Sequence, residues 1–306
     1  MPDSDFPSGV FAASLTPFVA SGAVDVPAFT HHVQWLLHNG CDGVLLFGTT
    51  GEGFSLSASE RIDTLAALLG NGIPAERLIV GTGAGALPDA VQMTRRATDQ
   101  GVAGVLVLPP FHFREIPDDG VFRFYDQLIR RTGRDTLHLY FYHYPELSGV
   151  PVAFPVIQRL LEAHPKQVVG IKDSSGEWDH TEALIRSFPD LNVFAGTERL
   201  LLPALQAGGA GCISATANVT APLAQQVVEA WRSGADAASL QDTLSSLRGS
   251  LVRFPTIAAL KQACAWRARG TMNAAVRPPL VRLDAKTRDA LRPVHARIQS
   301  VLGGAR

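Results

Sequence analysis

A chain of 306 residues, 46% hydrophobic and 18% charged, has enough apolar sequence for one large α/β domain or two average ones. Its net charge of -1 and pI near 6.8 supply no electrostatic reason to bind nucleic acid, an anionic membrane or a polyanion, so small molecules are the expected partners. Cys41, Cys212 and Cys264 form neither a CxxC zinc pattern nor a disulfide framework, which suits a cytoplasmic location; "MPDSDFPSG" carries no targeting pattern, and no run reaches the roughly 18 apolar residues of a membrane span.

In chain order, short runs rich in Val, Ile, Leu and Phe alternate with amphipathic segments. The runs are "GVFAASLTPF" (9–18), "DGVLLFG" (42–48), "RLIVGTG" (77–83), "AGVLVLPP" (103–110), "LHLYFYHYP" (137–145), "VVGIKDSS" (168–175), "LNVFAGT" (191–197) and "GAGCISAT" (208–216). Helices are expected near 27–39, 57–70, 87–100, 118–131, 155–164, 179–187, 200–207 and 221–233, the second opened by the capping box Ser57-Ala-Ser-Glu60. The strands are apolar on both faces, as parallel strands covered by helices should be. Eight β/α units predict an α/β fold of the TIM (β/α)8 barrel type over residues 1–233, with a helical C-terminal extension over 234–306. A doubly wound sheet shares the alternation and is the rival; the eight regular repeats favour closure.

This frame places Thr49 and Thr50 at the end of strand two, Tyr142 on strand five, Lys172 on strand six and Glu198 just beyond strand seven, all at the rim where such barrels carry their chemistry. Lys172 follows four uncharged residues. It either reaches solvent, paired with Asp173 or Glu177, or is held in an apolar site where loss of its proton relieves desolvation and makes it a nucleophile. Strand alternation puts it on the side of Val168 and Gly170, with Gly170 leaving room beneath it. The other lysines, Lys166, Lys261 and Lys286, fall in a polar loop or on helices of the outer layer or extension. "GTTGEG" (48–53) offers two hydroxyls and a glycine-rich bend whose backbone N–H groups suit a small anion, or is simply a tight turn requiring glycine. Tyr140, Tyr142 and Tyr144 share one strand face, either as a proton relay beside an amine or as wall packing.

Taken together and in this order, "GTTGE", "YHYPELSGV", "GIKDSSG" and "GAGCISATAN" resemble the family of dihydrodipicolinate synthase and N-acetylneuraminate lyase, and the likeness spans essentially the whole chain. The resemblance implies a homotetrameric barrel in which Lys172 forms a Schiff base with pyruvate or another 2-oxo acid. It further implies that Thr49 and Thr50, with Gly48, hold the substrate carboxylate, that Tyr142 shuttles protons, and that the Ile213 carbonyl supports the lysine. An imine is a stronger electron sink than a ketone and stabilises the carbanion at the adjacent carbon, so no metal or cofactor is expected.

The sequence departs from the synthase pattern at two places. Leu147 stands where synthases carry an arginine that receives the acidic aldehyde, which argues against lysine biosynthesis. "PPFHF" places His112 where they carry a second tyrosine; acid/base, substrate-contact and interface roles for it remain open. The segment around Tyr142 resembles neuraminate lyases and 2-keto-3-deoxy sugar-acid aldolases instead. That likeness nominates Ser174, Gly196 and Glu198 for substrate binding, with ordinary loop polarity as the alternative. The expected activity is therefore a lyase joining or separating pyruvate and an aldehyde. A dehydratase or deaminase using the same imine, a dihydrodipicolinate synthase and a non-catalytic ligand-binding barrel are the alternatives.

Other signals are weaker. "GTGAGA" (81–86) fits a loose dinucleotide fingerprint, but "VLPP" replaces the acidic residue such a unit needs. The histidines supply no evident ligand set, since His31 and His32 are adjacent on a helix and His138 and His143 face opposite ways on a strand. "RRTGRD" (130–135) reads as a solvated helix end.

Overall fold

The computed structural model describes residues 7–111 and 113–303. Eight parallel strands close on themselves in sequence order, and the pairing of the first with the eighth (Phe11 with Ile213) excludes an open doubly wound sheet. The protein is a TIM barrel.

Its first half runs β1 (Gly9–Ala13), α1 (Val26–His38), β2 (Gly43–Leu46), α2 (Ala58–Gly70), β3 (Leu78–Gly81), α3 (Leu87–Asp99), β4 (Gly104–Val107) and α4 (Asp118–Thr132). The second half continues with β5 (Leu139–His143), a single turn α5 (Pro145–Ser148), α6 (Phe154–Ala163), β6 (Val168–Asp173), α7 (Trp178–Ser187), β7 (Asn192–Ala195), α8 (Leu201–Gln206), β8 (Gly211–Ser214) and α9 (Ala217–Ser233). Beyond Gly234, which ends α9 in the left-handed conformation, come α10 (Ala237–Leu251), α11 (Thr256–Arg267) and α12 (Ala285–Gly303). No helix among the described residues is long and apolar enough to cross a membrane.

Each strand lies inside its expected apolar run, because that run must face helices outside and packed side chains within. Val44, Leu46, Val105, Val107 and Ile171 join the layer under the helices. Phe11, Leu45, Ile79, Leu106, Tyr140 and Phe194 fill the barrel interior. Ser57 caps α2 as expected, with Glu60 answering it from the third helical position.

Two local features differ from simple periodicity. Leu139 pairs with Val168 whereas Tyr140 pairs with Gly170, so β6 holds one extra residue at Val169. Val168 therefore packs outward and Val169 inward, contrary to the expected sharing of a face by Val168, Gly170 and Lys172. Gly170 is needed for a different neighbour too: a Cβ there would lie 2.3 Å from the Tyr140 ring, so the space belongs to that tyrosine. The other difference is that α9 begins four residues before the expected position 221, with Pro222 inside it. Proline cannot donate to the carbonyl of Asn218, and that oxygen instead accepts from Arg267 Nη1 at 2.7 Å, a partner supplied by α11.

Candidate active site

Tyr142 and Lys172 are directly opposed on β5 and β6, which brings their side chains together at the C-terminal mouth of the barrel. The Lys172 ammonium donates to the Tyr142 hydroxyl at 3.4 Å and lies 4.4 Å from the ring centroid. The same hydroxyl is 3.3 Å from Thr49 Oγ1. Lys172 is 4% exposed and Tyr142 5%, and both line a cavity of about 510 Å³ together with Thr49, Thr50, Ser174 and Gly196. Lys172 is thus the buried amine of the two possibilities; Asp173 beside it faces the other way and hydrogen-bonds Thr181 and His180.

The turn after β2 is built by close approach more than by glycine torsions. Left-handed conformations fall on Phe47 (φ 55°) and Glu52 (φ 54°), while Gly53 and Gly81 are needed because a Cβ on either would strike the Phe47 carbonyl at 1.9 or 2.5 Å. Gly48 is buried behind the cavity wall, its carbonyl accepting from Gly53 N at 3.0 Å. The Thr49 carbonyl accepts from Glu52 N at 3.0 Å, and the N–H groups of Thr49 and Thr50 make no hydrogen bond to the described residues, which suits them to an anion.

Glu52 fixes the turn from beneath. It forms an ion pair with Lys261 of α11 and accepts from Arg277 N at 2.8 Å. Lys261, expected on an outer helix, is completely buried, and burial pushes its ammonium down to about 8 against the opposing pull of Glu52. A lowered pKa is one mark of a nucleophilic lysine, but Lys261 does not line the cavity and its ammonium is spent on Glu52 and the Ala275 carbonyl at 2.7 Å. Of the two buried lysines, only Lys172 opens onto the cavity.

On the outer side of the same two strands His143, Asp173 and His180 converge, a cluster that sequence spacing did not reveal because His180 comes from α7. Its donors are already committed. Asp173 accepts from Ser175 N, Thr181 Oγ1 and His180 Nδ1 at 3.0, 2.6 and 3.1 Å, and His143 Nδ1 accepts from Val152 N at 3.2 Å. With Nδ1 accepting, the neutral His143 ring carries its hydrogen on Nε2, which leaves no lone pair there for a metal. Burial pushes the Asp173 carboxyl up, but its three donors hold it below its ordinary value. Burial, then His180, pushes His143 down to about 4. The His143 and His180 rings stack at 4.3 Å, so the cluster joins β5, β6 and α7 on the side of the strands away from Tyr142 and Lys172.

The profile of the Dihydrodipicolinate synthetase family matches residues 6–297. The chain belongs to that family. Its relatives include an "Uncharacterized DapA-like lyase" of Chloroflexus aurantiacus, 37% identical over 96% of this chain and 98% of the relative. The crystal structure of dihydrodipicolinate synthase from Agrobacterium tumefaciens is 33% identical and superposes with a TM-score of 0.84 over 96% of this chain and 99% of that one. YagE, a prophage protein of the dihydrodipicolinic acid synthase family from E. coli solved with pyruvate, is 24% identical with a TM-score of 0.86 over 95% and 98% of the two chains and shares the fold. As a member of this family of imine-forming enzymes the protein is a lyase.

Several residues nominated from the family pattern sit differently from expectation. Glu198 does not line the cavity: it is fully buried and accepts from Thr220 Oγ1 at 2.8 Å and from Ser214 Oγ, so it has no free oxygen to offer a substrate hydroxyl. Ile213 packs in the barrel interior, and among the described residues the Lys172 ammonium donates to Tyr142 and not to the Ile213 carbonyl. Gly196 is glycine because a Cβ would lie 2.3 Å from Ser174 Oγ, so both shape one wall. Leu147 sits on α5 at the surface, 46% exposed. His112 lies outside the described residues. Tyr144, one of the three tyrosines expected on one face of β5, lines the cavity beside Tyr142, whereas sequence reasoning missed Arg199, Ser245 and Arg248 altogether. The last two come from α10, whose packing over the barrel mouth has no signature in its own sequence.

Proposed function

We propose that the protein is a Schiff-base lyase that cleaves or forms the C3–C4 bond of a 2-keto-3-deoxy sugar acid, releasing or consuming pyruvate. The observation that carries this reading is the convergence of the Lys172 amine, the Tyr142 phenol and the Thr49 hydroxyl within 3.4 Å contacts on the cavity floor. In the cleavage direction the substrate carboxylate binds Thr49 and Thr50, and neutral Lys172 attacks C2. Tyr142 gives its proton to the departing hydroxyl, so that water leaves and a protonated imine remains, and the Tyr142 phenolate then takes the proton from the C4 hydroxyl. The electron pair of the C3–C4 bond then passes into the imine, the aldehyde leaves, and the enamine is protonated at C3 and hydrolysed to pyruvate. The imine is the electron sink, so the cycle needs no metal or cofactor.

Expulsion of water or ammonia from the same imine is the nearest variant. Dihydrodipicolinate synthesis is a further reading, favoured by the 33% identity to the Agrobacterium enzyme and opposed by Leu147. Incubation with pyruvate and a series of aldehydes separates them. Condensation with polyhydroxy aldehydes supports the aldolase, turnover of aspartate semialdehyde alone contradicts it, and binding without any turnover indicates a non-catalytic barrel. The family likeness also supports a homotetramer, which sedimentation velocity tests.

A further inference from the structure

Besides Lys172, the cavity wall carries two arginines, Arg199 and Arg248, and among the described residues no acidic side chain lines it. Arg248 projects from α10 in the helical extension. Its Nη1 donates to Thr216 Oγ1 at 2.8 Å and Ser214 Oγ at 3.2 Å, and lies 3.6 Å from Glu198 Oε2. Glu198 is the buried anchor of this group, held in turn by Thr220 and Ser214. One corner of the guanidinium is therefore fixed by the barrel. Its Nε and Nη2 make no hydrogen bond to the described residues, although the side chain is 79% covered (21% exposed).

A brace between α10 and β8 needs only the Nη1 contacts. The remaining guanidinium edge presents two roughly parallel N–H groups, the geometry that pairs with both oxygens of a carboxylate. It shares the cavity lining with Lys172, Tyr142 and Thr49. The Tyr142 and Tyr144 rings lie 5.9 Å apart, and burial, followed by Tyr142 and Glu146, pushes the Tyr144 phenol up, with Arg248 opposing the rise. Thr49, Thr50, Lys172, Tyr144 and Arg248 all line this one cavity.

Resting on the lyase reading above, we infer that Arg248 binds a second carboxylate at the far end of the substrate, so that the sugar acid cleaved is acidic at both ends. The aldehyde half is then an acid semialdehyde. Leu147 agrees with this: the cation absent from the β5 side arrives from α10 instead, and it receives the acid group at a different place.

The test is a matched pair of acceptors for pyruvate, tartronate semialdehyde and glyceraldehyde, which differ only in a terminal carboxylate against a terminal hydroxymethyl. Wild type should favour the acid by roughly 100-fold in kcat/KM, the scale of one charge-assisted bidentate contact. Arg248→Gln should reduce that ratio to within about 3-fold, and Arg248→Lys should retain part of it. Because Arg248→Gln leaves the buried Glu198 without its cation and so endangers folding, wild type is also assayed for competition against pyruvate in borohydride trapping. There 2-oxoadipate should outcompete 2-oxohexanoate by at least about 10-fold. An adduct at Lys172 without any preference for the diacids overturns this inference alone, whereas no adduct at Lys172 overturns the lyase reading beneath it. A preference for glyceraldehyde 3-phosphate over the semialdehyde, or an acid preference that survives in Arg248→Gln, also overturns it.

Discussion

Glu52 and Lys261 form an ion pair in which the side chains are 1% and 0% exposed, so the turn that carries Thr49 and Thr50 is tied to α11 of the C-terminal extension. Removing one partner leaves the other charged and buried. Lys261→Met should therefore destabilise the protein by about 3–5 kcal/mol and raise KM for pyruvate, because Glu52 then no longer holds its left-handed backbone in place. Adding Glu52→Gln to that variant should recover part of the stability but not the pyruvate KM. Urea unfolding and steady-state kinetics check both halves.

Tyr140 fills the barrel floor between Gly104 and Gly170, and its hydroxyl has no hydrogen-bond partner among the described residues. Tyr140→Phe removes a buried unsatisfied group and should raise stability by about 1 kcal/mol. Gly170→Ala forces a Cβ into the same ring and should cost about 1–3 kcal/mol while displacing Lys172 two residues along. The opposite signs, read from unfolding midpoints, test whether this ring supports β6.

The acid side of the stability profile follows from two buried imidazoles. Burial, reinforced by Arg267, pushes His32 down to about 3, and burial followed by His180 pushes His143 down to about 4. In the unfolded chain both titrate near 6.5. Between the folded and unfolded values the unfolded chain binds more protons, so stability is complete above about 6.5 and falls as pH drops below it. The slope approaches about 1.4 kcal/mol per pH unit for each histidine. Denaturant midpoints measured from pH 7.5 to 5 should decline, and His32→Gln, which cannot titrate, should flatten the decline.

Leu147 supplies a test of substrate class. Leu147→Arg should raise turnover of aspartate semialdehyde by about 10-fold or more by adding a carboxylate partner at the mouth. Equal turnover by wild type and variant would remove the argument against dihydrodipicolinate synthesis.

The eight strands were legible because a strand buried on both faces must be continuously apolar. The meeting of Lys172, Tyr142, Thr49 and Thr50 at one rim was legible because all four fall at the C-terminal ends of barrel strands, while the roles proposed for them rest on the family resemblance. Periodicity failed at Val168, where the bulge at Val169 shifts the alternation, and at α9, where Pro222 looks like a helix start until Arg267 satisfies the Asn218 carbonyl. The roles of Glu198, Lys261 and Arg248 depend on how α10 and α11 pack against the barrel. Contacts between residues so distant in sequence leave no local pattern, so an acid read as a substrate ligand is in fact the anchor of an arginine.

The central claim is that Lys172 becomes covalently joined to the 2-oxo carbon of its substrate. Incubating the protein with pyruvate, reducing with borohydride and mapping the digest by mass spectrometry tests it directly. The account predicts a single reduced adduct on the peptide carrying Lys172, abolished in Lys172→Ala. An adduct on the peptide carrying Lys261, or an unmodified Lys172 peptide after saturating pyruvate, would contradict it.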